Sequence, residues 1–183
     1  MARLLCLLVI LAVSSPGFLV SGSTPATADQ MREFFKSKLD ASVYDKRIRP
    51  NQHVAPVQVT LSAFINSIHS YCPYDNTLSL THYLRQEWKD ARLAHSYGTI
   101  TLQGQEIESL IWLPDTFVST AIETKATRDE LRGSSFVRIN SDGTVLLSRH
   151  LTVKIACSSK GHLFPVDPLT CDMDLESCEF QFL

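Results

Sequence analysis

Two cysteines, Cys157 and Cys171, bracket thirteen residues, and no other feature of the chain restricts its fold so tightly. Inside the bracket stands Phe164-Pro165-Val166-Asp167. An alternating run from Val145 to Ala156 leads into it, and the stretch Met173 to Phe182 leads out. A disulfide there would close a hairpin-like connection between two strands. In the chain-entropy account a loop of about fifteen residues restricts the unfolded state by roughly 3 kcal/mol. Such a bond needs an oxidising compartment, and the N-terminus supplies the address. Arg3 is followed by an apolar run from Leu4 to Val13 and then by Ser, Pro and Gly up to Gly22. That is the pattern of a secretory signal peptide over residues 1–22, with Val20-Ser21-Gly22 as a small-residue cleavage site. The apolar run is too short for the roughly twenty residues of a membrane helix. Every later apolar run is interrupted within a few residues, so no membrane span is expected, and residues 23–183 are expected to form one secreted domain.

Charge and motif content exclude several functions. A net charge of −2, with both signs mixed along the chain, marks no nucleic-acid partner and no membrane-surface patch. The six histidines have no metal-ligand spacing. No Gly-x-Ser-x-Gly elbow and no phosphate-cradling glycine loop occurs, so neither an enzyme nor a cofactor is expected. Cys6 departs with the signal, which leaves Cys72 and Cys178 without an obvious partner beside the bracketing pair. No Asn-x-Ser/Thr sequon is present.

Periodicity gives the fold class. Met31, Phe34, Phe35, Lys38, Leu39 and Val43 have helical spacing, which predicts a helix over Asp29 to Tyr44 with Asp29 as its N-cap. Pro50 and Pro56 then mark an extended linker. Beyond it the period falls to two. Strands are expected from Val57 to about Ile68, from Leu78 to Arg85, over Ile111 to Val118, over Phe136 to Ile139, from Val145 to Ile155 and over Met173 to Phe182. Turns fall at Ser70 to Asn76 and at Asn140-Ser-Asp-Gly143. Short strands separated by turns, with no helix between them, predict an all-β, immunoglobulin-like antiparallel β-sandwich carrying an N-terminal α-helix. In an unrelated immunoglobulin-like domain the disulfide joins two sheets over a longer separation, whereas the bracket here is local.

Thirteen residues between cysteines with Phe-Pro-x-Asp in place resemble the signature of the Cys-loop (pentameric) ligand-gated ion channel family. Four further stretches resemble it in the same order. Tyr44-Asp-Lys-Arg-Ile-Arg-Pro-Asn51 is similar to the N-terminal segment of glycine- and GABA-type anion-channel subunits. Tyr83-Leu-Arg-Gln-Glu-Trp88-Lys-Asp90-Ala-Arg92-Leu93 is similar to loop D and its continuation, and Ile111-Trp112-Leu-Pro114-Asp115-Thr-Phe117 to the segment carrying loop A. Phe136 to Ile139, with Asp142-Gly143 and Leu147-Ser148, is similar to loop E. The resemblance implies a disulfide between Cys157 and Cys171, a coupling role for Phe164, Pro165 and Asp167, and a cis bond before Pro165. It also sets the turn around Cys72 at the membrane-facing end and Cys178 beside the ligand site, so these two thiols are not expected to bond to each other.

The implied activity is capture of a small amino-acid transmitter (glycine, GABA or glutamate-like) between subunits of a pentamer, with the signal passed to a chloride pore. A zwitterionic ligand needs a fixed cation for its carboxylate and an aromatic wall for its ammonium. Arg85 suits the first, since a guanidinium forks onto a carboxylate through two charge-assisted bonds. It alternates with Tyr83 on one strand face. Ser148 offers a hydroxyl, and Phe136 or Arg138 lines the same face. A solvated or structurally paired strand arginine is the competing role for Arg85, as core packing is for Trp88 and Trp112. For the ammonium, Phe117 offers a cation–π face. Loop B is assigned to Leu175 through Phe180, with Ser177, Cys178 and Phe180 as candidates, and Cys178 stands where glycine-type subunits have an aromatic. In the family, loop C, the last strands and four membrane helices follow the position of Leu183. The expectation is therefore a C-terminally truncated subunit domain. The alternatives are a secreted soluble binding or decoy protein of the same fold and a non-conducting subunit.

Overall fold

The computed structural model describes residues 25–52, 54–103, 105–126, 135–159 and 169–178. Its first element, α1, spans Ala28–Lys38, and its cap is Thr27, two residues before the expected Asp29. Thr27 and Gln30 form a reciprocal capping box, in which the Gln30 backbone N–H donates to the Thr27 hydroxyl and the Thr27 N–H donates to the Gln30 side chain. Asp29 sits in the first turn, where a carboxylate favours the positive end of the helix dipole. The helix ends at Lys38 instead of reaching Tyr44. Val43 consequently points to solvent, while Phe34 is wholly buried.

Two antiparallel sheets follow. The larger is ordered around β7 (Thr144–Ser159), the longest strand. Along one edge β7 pairs with β2 (Thr77–Lys89), from Thr144 opposite Lys89 to Ala156 opposite Thr77. β2 in turn carries β1 (Val59–Cys72) as the outer strand. The other edge of β7 is shared in sequence by β6 (Ser135–Ile139), β5 (Ala121–Ala126) and β8 (Leu169–Cys171). β3 (Ile100–Gln103) extends the sheet beyond β6, and α2 (Gln105–Glu108) follows it. The second sheet is a pair, β4 (Thr116–Val118) with β9 (Leu175–Ser177). The chain is thus an all-β antiparallel sandwich with an N-terminal helix. No helix among the described residues is long and apolar enough to cross a membrane.

Several strands differ in extent from the periodicity. β1 continues to Cys72, and only Thr116–Val118 of the stretch from Ile111 is a strand. Of the expected strand from Met173, the described residues up to Cys178 contain only β9, Leu175–Ser177. Residues 179–182 lie outside the described set. β3 and β5 were not anticipated; each is short, and β5 (AIETKA) has only one strongly apolar side chain, Ile122, which is exposed.

Alternation places Leu80, His82, Leu84, Gln86 and Trp88 of β2 on the inner face, with Val145, Leu147, Arg149, Val153 and Ile155 of β7. Two apolar clusters cover that face. One joins Phe34, Tyr44, Leu93, Trp112, Trp88 and Leu147 beneath α1 and the linker; its two tryptophans meet edge to face at 6.0 Å, so both are core residues. The other joins Leu80, Val153 and Ile155 to Val118 and Leu175 of the second sheet. On the same inner face lie His82 and Gln86, with Arg149 forked onto Glu108.

The continuation of loop D is a structural joint. Asp90 is fully buried, accepts from the Tyr44 hydroxyl at 2.8 Å, and holds the Arg92 guanidinium through two bonds of 2.9 and 2.7 Å. Arg92 also lies over the Tyr44 ring, 4.3 Å from its centre. The Tyr44 hydroxyl accepts from the Trp112 backbone N–H, which fastens the loop A segment to the linker. Burial pushes the Tyr44 phenol far above its ordinary range, so it stays a protonated donor. On the other side of Asp90 the β6–β7 turn presses close: the Asp90 N–H donates to Gly143 O, and Gly143 adopts φ 84°.

Candidate functional site

In an antiparallel pair, directly opposed residues share a face. Arg85 of β2 opposes Ser148 of β7, and Ser148 opposes Phe136 of β6, so the three form one rung across three neighbouring strands. One rung away Tyr83 opposes His150, and their rings stack at 4.4 Å. One rung the other way Arg138 opposes Leu146, and its guanidinium lies 5.9 Å from the Phe136 ring centre. Tyr83, Arg85, Phe136, Arg138 and Ser148, chosen from three separate stretches, therefore lie together on the outer face of the large sheet. Tyr83 and Phe136 are half-buried, Ser148 is buried beneath them, and Arg85 and Arg138 are exposed. Arg85 is in none of the ion pairs among the described residues. Its charge is available to a ligand.

The other candidates lie on the small sheet. Phe117 opposes Glu176, and Thr116 opposes Ser177. Val118 and Leu175 sit in the inner cluster, so alternation turns Thr116 and Ser177 toward that side and Phe117 and Glu176 outward. Phe117 is 42% exposed, so its ring is open to a ligand or partner. Ser177 is not beside the Phe117 ring; its hydroxyl donates to the Asp115 carboxylate and ties β9 to the segment before β4. Cys178 is an exposed free thiol immediately after β9. Phe180 lies outside the described residues. Because the small sheet stacks on the inner face of the large one, the outward ring of Phe117 and the Arg85 rung are on opposite sides of the sandwich.

Cys157 and Cys171 are disulfide-bonded and directly opposed across β7 and β8, with Cα atoms 4.2 Å apart. Phe164, Pro165 and Asp167 lie outside the described residues. The β1–β2 turn is at the same end as this bond: Cys72 opposes Thr77, Thr77 opposes Ala156, and the Cys157 N–H donates to Asn76 O. Cys72 and Cys178 are both free.

A sequence model described as the neurotransmitter-gated ion-channel ligand binding domain matches residues 32–182. The chain belongs to that family. It is 35% identical over 137 residues to the gamma-aminobutyric acid receptor subunit pi of Bos taurus, an alignment that covers 73% of this chain and 30% of that protein. The chain thus spans under a third of the length of this relative. A neurotransmitter-gated ligand-binding domain is a receptor module and not an enzyme, which agrees with the absence of catalytic motifs from the sequence. The stretches that resemble loops D and E pair to form the outer rung, and those that resemble loops A and B pair as β4 and β9.

His150 was missed. It stacks on Tyr83, and among the described residues its buried Nε2 atom has no hydrogen-bond partner. The signal was legible, since His150 is two residues from Ser148 on an alternating strand and so shares its face.

Proposed function

We propose that this domain binds a small amino-acid transmitter between adjacent subunits of a pentamer and passes the signal through the Cys157–Cys171 ring to a chloride-conducting pore. One observation supports the interface site above others. The cationic rung with Arg85 and the exposed aromatic Phe117 face away from each other on opposite sides of one sandwich. A ligand small enough to be an amino acid touches both only when two copies stand side by side.

In this reading Arg85 holds the carboxylate through its fork, Ser148 adds a hydroxyl, and Tyr83, Phe136 and Arg138 line the complementary side. Phe117 of the neighbouring subunit supplies the aromatic face for the ammonium, and Cys178 and Phe180 are the further contacts the loop B resemblance implies. Ser177 contributes by fixing Asp115 and hence the approach to Phe117. The Cys157–Cys171 disulfide lies next to the β1–β2 turn, which supports this end as the coupling end facing the membrane outside the cell, with Phe164, Pro165 and Asp167 as the coupling residues the family resemblance implies.

The test is substitution of Arg85 in the complete subunit, read by agonist titration of channel current. Losing a guanidinium from a partly buried charge pair typically costs about 2 to 5 kcal/mol. Arg85→Ala therefore weakens the response to an amino-acid agonist by well over tenfold, and Arg85→Lys restores it in part because the fork geometry is gone. Unchanged potency in Arg85→Ala for every amino acid that opens the channel contradicts the assignment.

A further inference from the structure

One charged side chain interrupts the inner row of β7. Val145, Leu147, Val153 and Ile155 are buried in apolar clusters, yet Arg149 stands in the same row with its side chain 28% exposed. Its guanidinium donates from Nε and Nη2 to Oε2 of Glu108, at 3.0 and 2.6 Å, and that carboxylate is 12% exposed. Well-packed apolar residues in place of a buried ion pair are often neutral or stabilising, so stability alone gives no reason for a pair here. Its position gives one. Arg149 directly follows Ser148, a member of the Arg85 rung. Glu108 ends α2 and begins the stretch that leads to Phe117 in β4. Along that stretch the Ser109 carbonyl accepts from Lys46 Nζ at 2.6 Å, the Trp112 N–H donates to the Tyr44 hydroxyl at 3.0 Å, and the Asp115 carboxylate accepts from Ser177. The approach to Phe117 is thus fastened along its length, and the Arg149–Glu108 pair joins it directly to β7.

We propose that the Arg149–Glu108 pair is a positioning tie that holds the two half-sites of one subunit, the Arg85 rung and the Phe117 segment, in fixed relation, and that it makes transmitter binding at neighbouring interfaces of the pentamer cooperative. This inference rests on the transmitter-binding reading above and adds communication between sites to it.

The direction of the effect follows from the arrangement. In that reading one subunit gives its Arg85 rung to one site and its Phe117 to the next. A ligand that draws the rung toward itself moves β7 at Ser148, and the charge-assisted bonds from Arg149 carry the shift to Glu108 and the segment behind it. Those bonds have a fixed direction, whereas an apolar contact at the same place has none. The second ligand then meets a Phe117 already placed as in the occupied state. Such coupling is a free energy shared by the two sites, so each site raises the affinity of the other by the same factor.

The experiment uses the complete subunit assembled in membranes, with equilibrium binding of radiolabelled GABA, glycine and L-glutamate each titrated to saturation. The expected result is that the amino acid that binds does so cooperatively, with successive sites differing in affinity by at least about fivefold. Arg149→Lys keeps the ion pair and most of that cooperativity. The decisive variant combines Glu108→Leu with Arg149→Leu, which removes both charges and strands neither, so it assembles and unfolds at the wild-type temperature or above. A pair that served only the fold would leave its binding curve unchanged. The tie predicts instead that its Hill coefficient falls to about 1. The inference is overturned if wild-type binding is not cooperative, if the combined variant keeps the wild-type Hill coefficient, or if it fails to assemble, which would make the pair a support of the fold. Arg85→Ala separates the two levels: if it leaves affinity unchanged, or if none of the three amino acids binds, the transmitter-site reading itself fails. If Arg85→Ala weakens binding while the combined variant stays as cooperative as wild type, only the tie fails.

Discussion

Replacing Arg92 by Met removes the cation from the joint between the linker, loop D and the loop A segment while keeping much of its length. The Asp90 carboxylate, 1% exposed, would then be left with the Tyr44 hydroxyl and backbone N–H groups as its donors. Breaking a buried pair from one side typically costs about 3 to 5 kcal/mol. Arg92 keeps 31% of its side chain exposed, so water reaches the pair and the lower end, about 3 kcal/mol, applies. That is a large part of the roughly 5 to 15 kcal/mol that holds a domain together. For a chain of this size each kcal/mol lowers Tm by about 2 to 4 °C, giving a drop of about 6 to 12 °C. The assay is thermal unfolding of the purified protein, repeated for Asp90→Asn and for the two substitutions combined. Once the carboxylate is neutral, loss of Arg92 leaves no stranded charge, so the double variant is more stable than the sum of the single losses predicts by over about 1 kcal/mol. Additive losses, or an Arg92→Met domain as stable as wild type, refute the reasoning.

Three further outcomes follow from other parts of the domain. Burial, reinforced by the nearby His150, holds His82 below its ordinary titration range, so the unfolded chain takes up a proton that the folded one refuses; stability falls as pH drops below about 6.5, and His82→Leu flattens that acid limb in unfolding titrations. Gly143 stands at φ 84°, and a Cβ there would lie 2.4 Å from the Asp90 carbonyl oxygen, so Gly143→Ala costs at least the roughly 1 to 3 kcal/mol of a strained backbone and shows in chaotrope unfolding as a lower midpoint. Non-reducing peptide mapping recovers Cys157 joined to Cys171 with Cys72 and Cys178 alkylatable, and Cys157→Ser costs about 2 to 5 kcal/mol and sharply reduces secretion.

The strands were legible wherever side chains alternate under one covered face. Val145 to Ile155 has that pattern because β7 is paired along both edges and its inner residues meet a continuous apolar layer. β5 was not legible: it is held to β7 by ladder bonds, and alternation of apolar side chains plays little part in it. The helix start was written as Thr27-Ala-Asp-Gln30, a capping-box spacing, yet Asp29 drew attention because it too is a favoured capping residue. Within the candidate site, the outer rung followed from parity along each strand plus the pairing of loops D and E. Parity could not reveal that Ser177 turns inward while Phe117 turns outward, since that depends on how β4 and β9, far apart in sequence, come into register, Thr116 opposite Ser177 and Phe117 opposite Glu176. The Asp90–Arg92–Tyr44 joint was hidden for a similar reason. Asp90 and Arg92 are two positions apart in sequence, but Tyr44 is 46 residues from Asp90 and meets them only through the fold.

The central claim is that one ligand bridges the Arg85 rung of one copy and Phe117 of the next. The most direct measurement is the structure of the complete, assembled subunit with its amino-acid agonist bound. The account predicts the ligand's carboxylate within hydrogen-bond distance of the Arg85 guanidinium and its ammonium over the Phe117 ring of the adjacent subunit. Ligand density elsewhere, or an Arg85 face left open to solvent in the assembly, contradicts it.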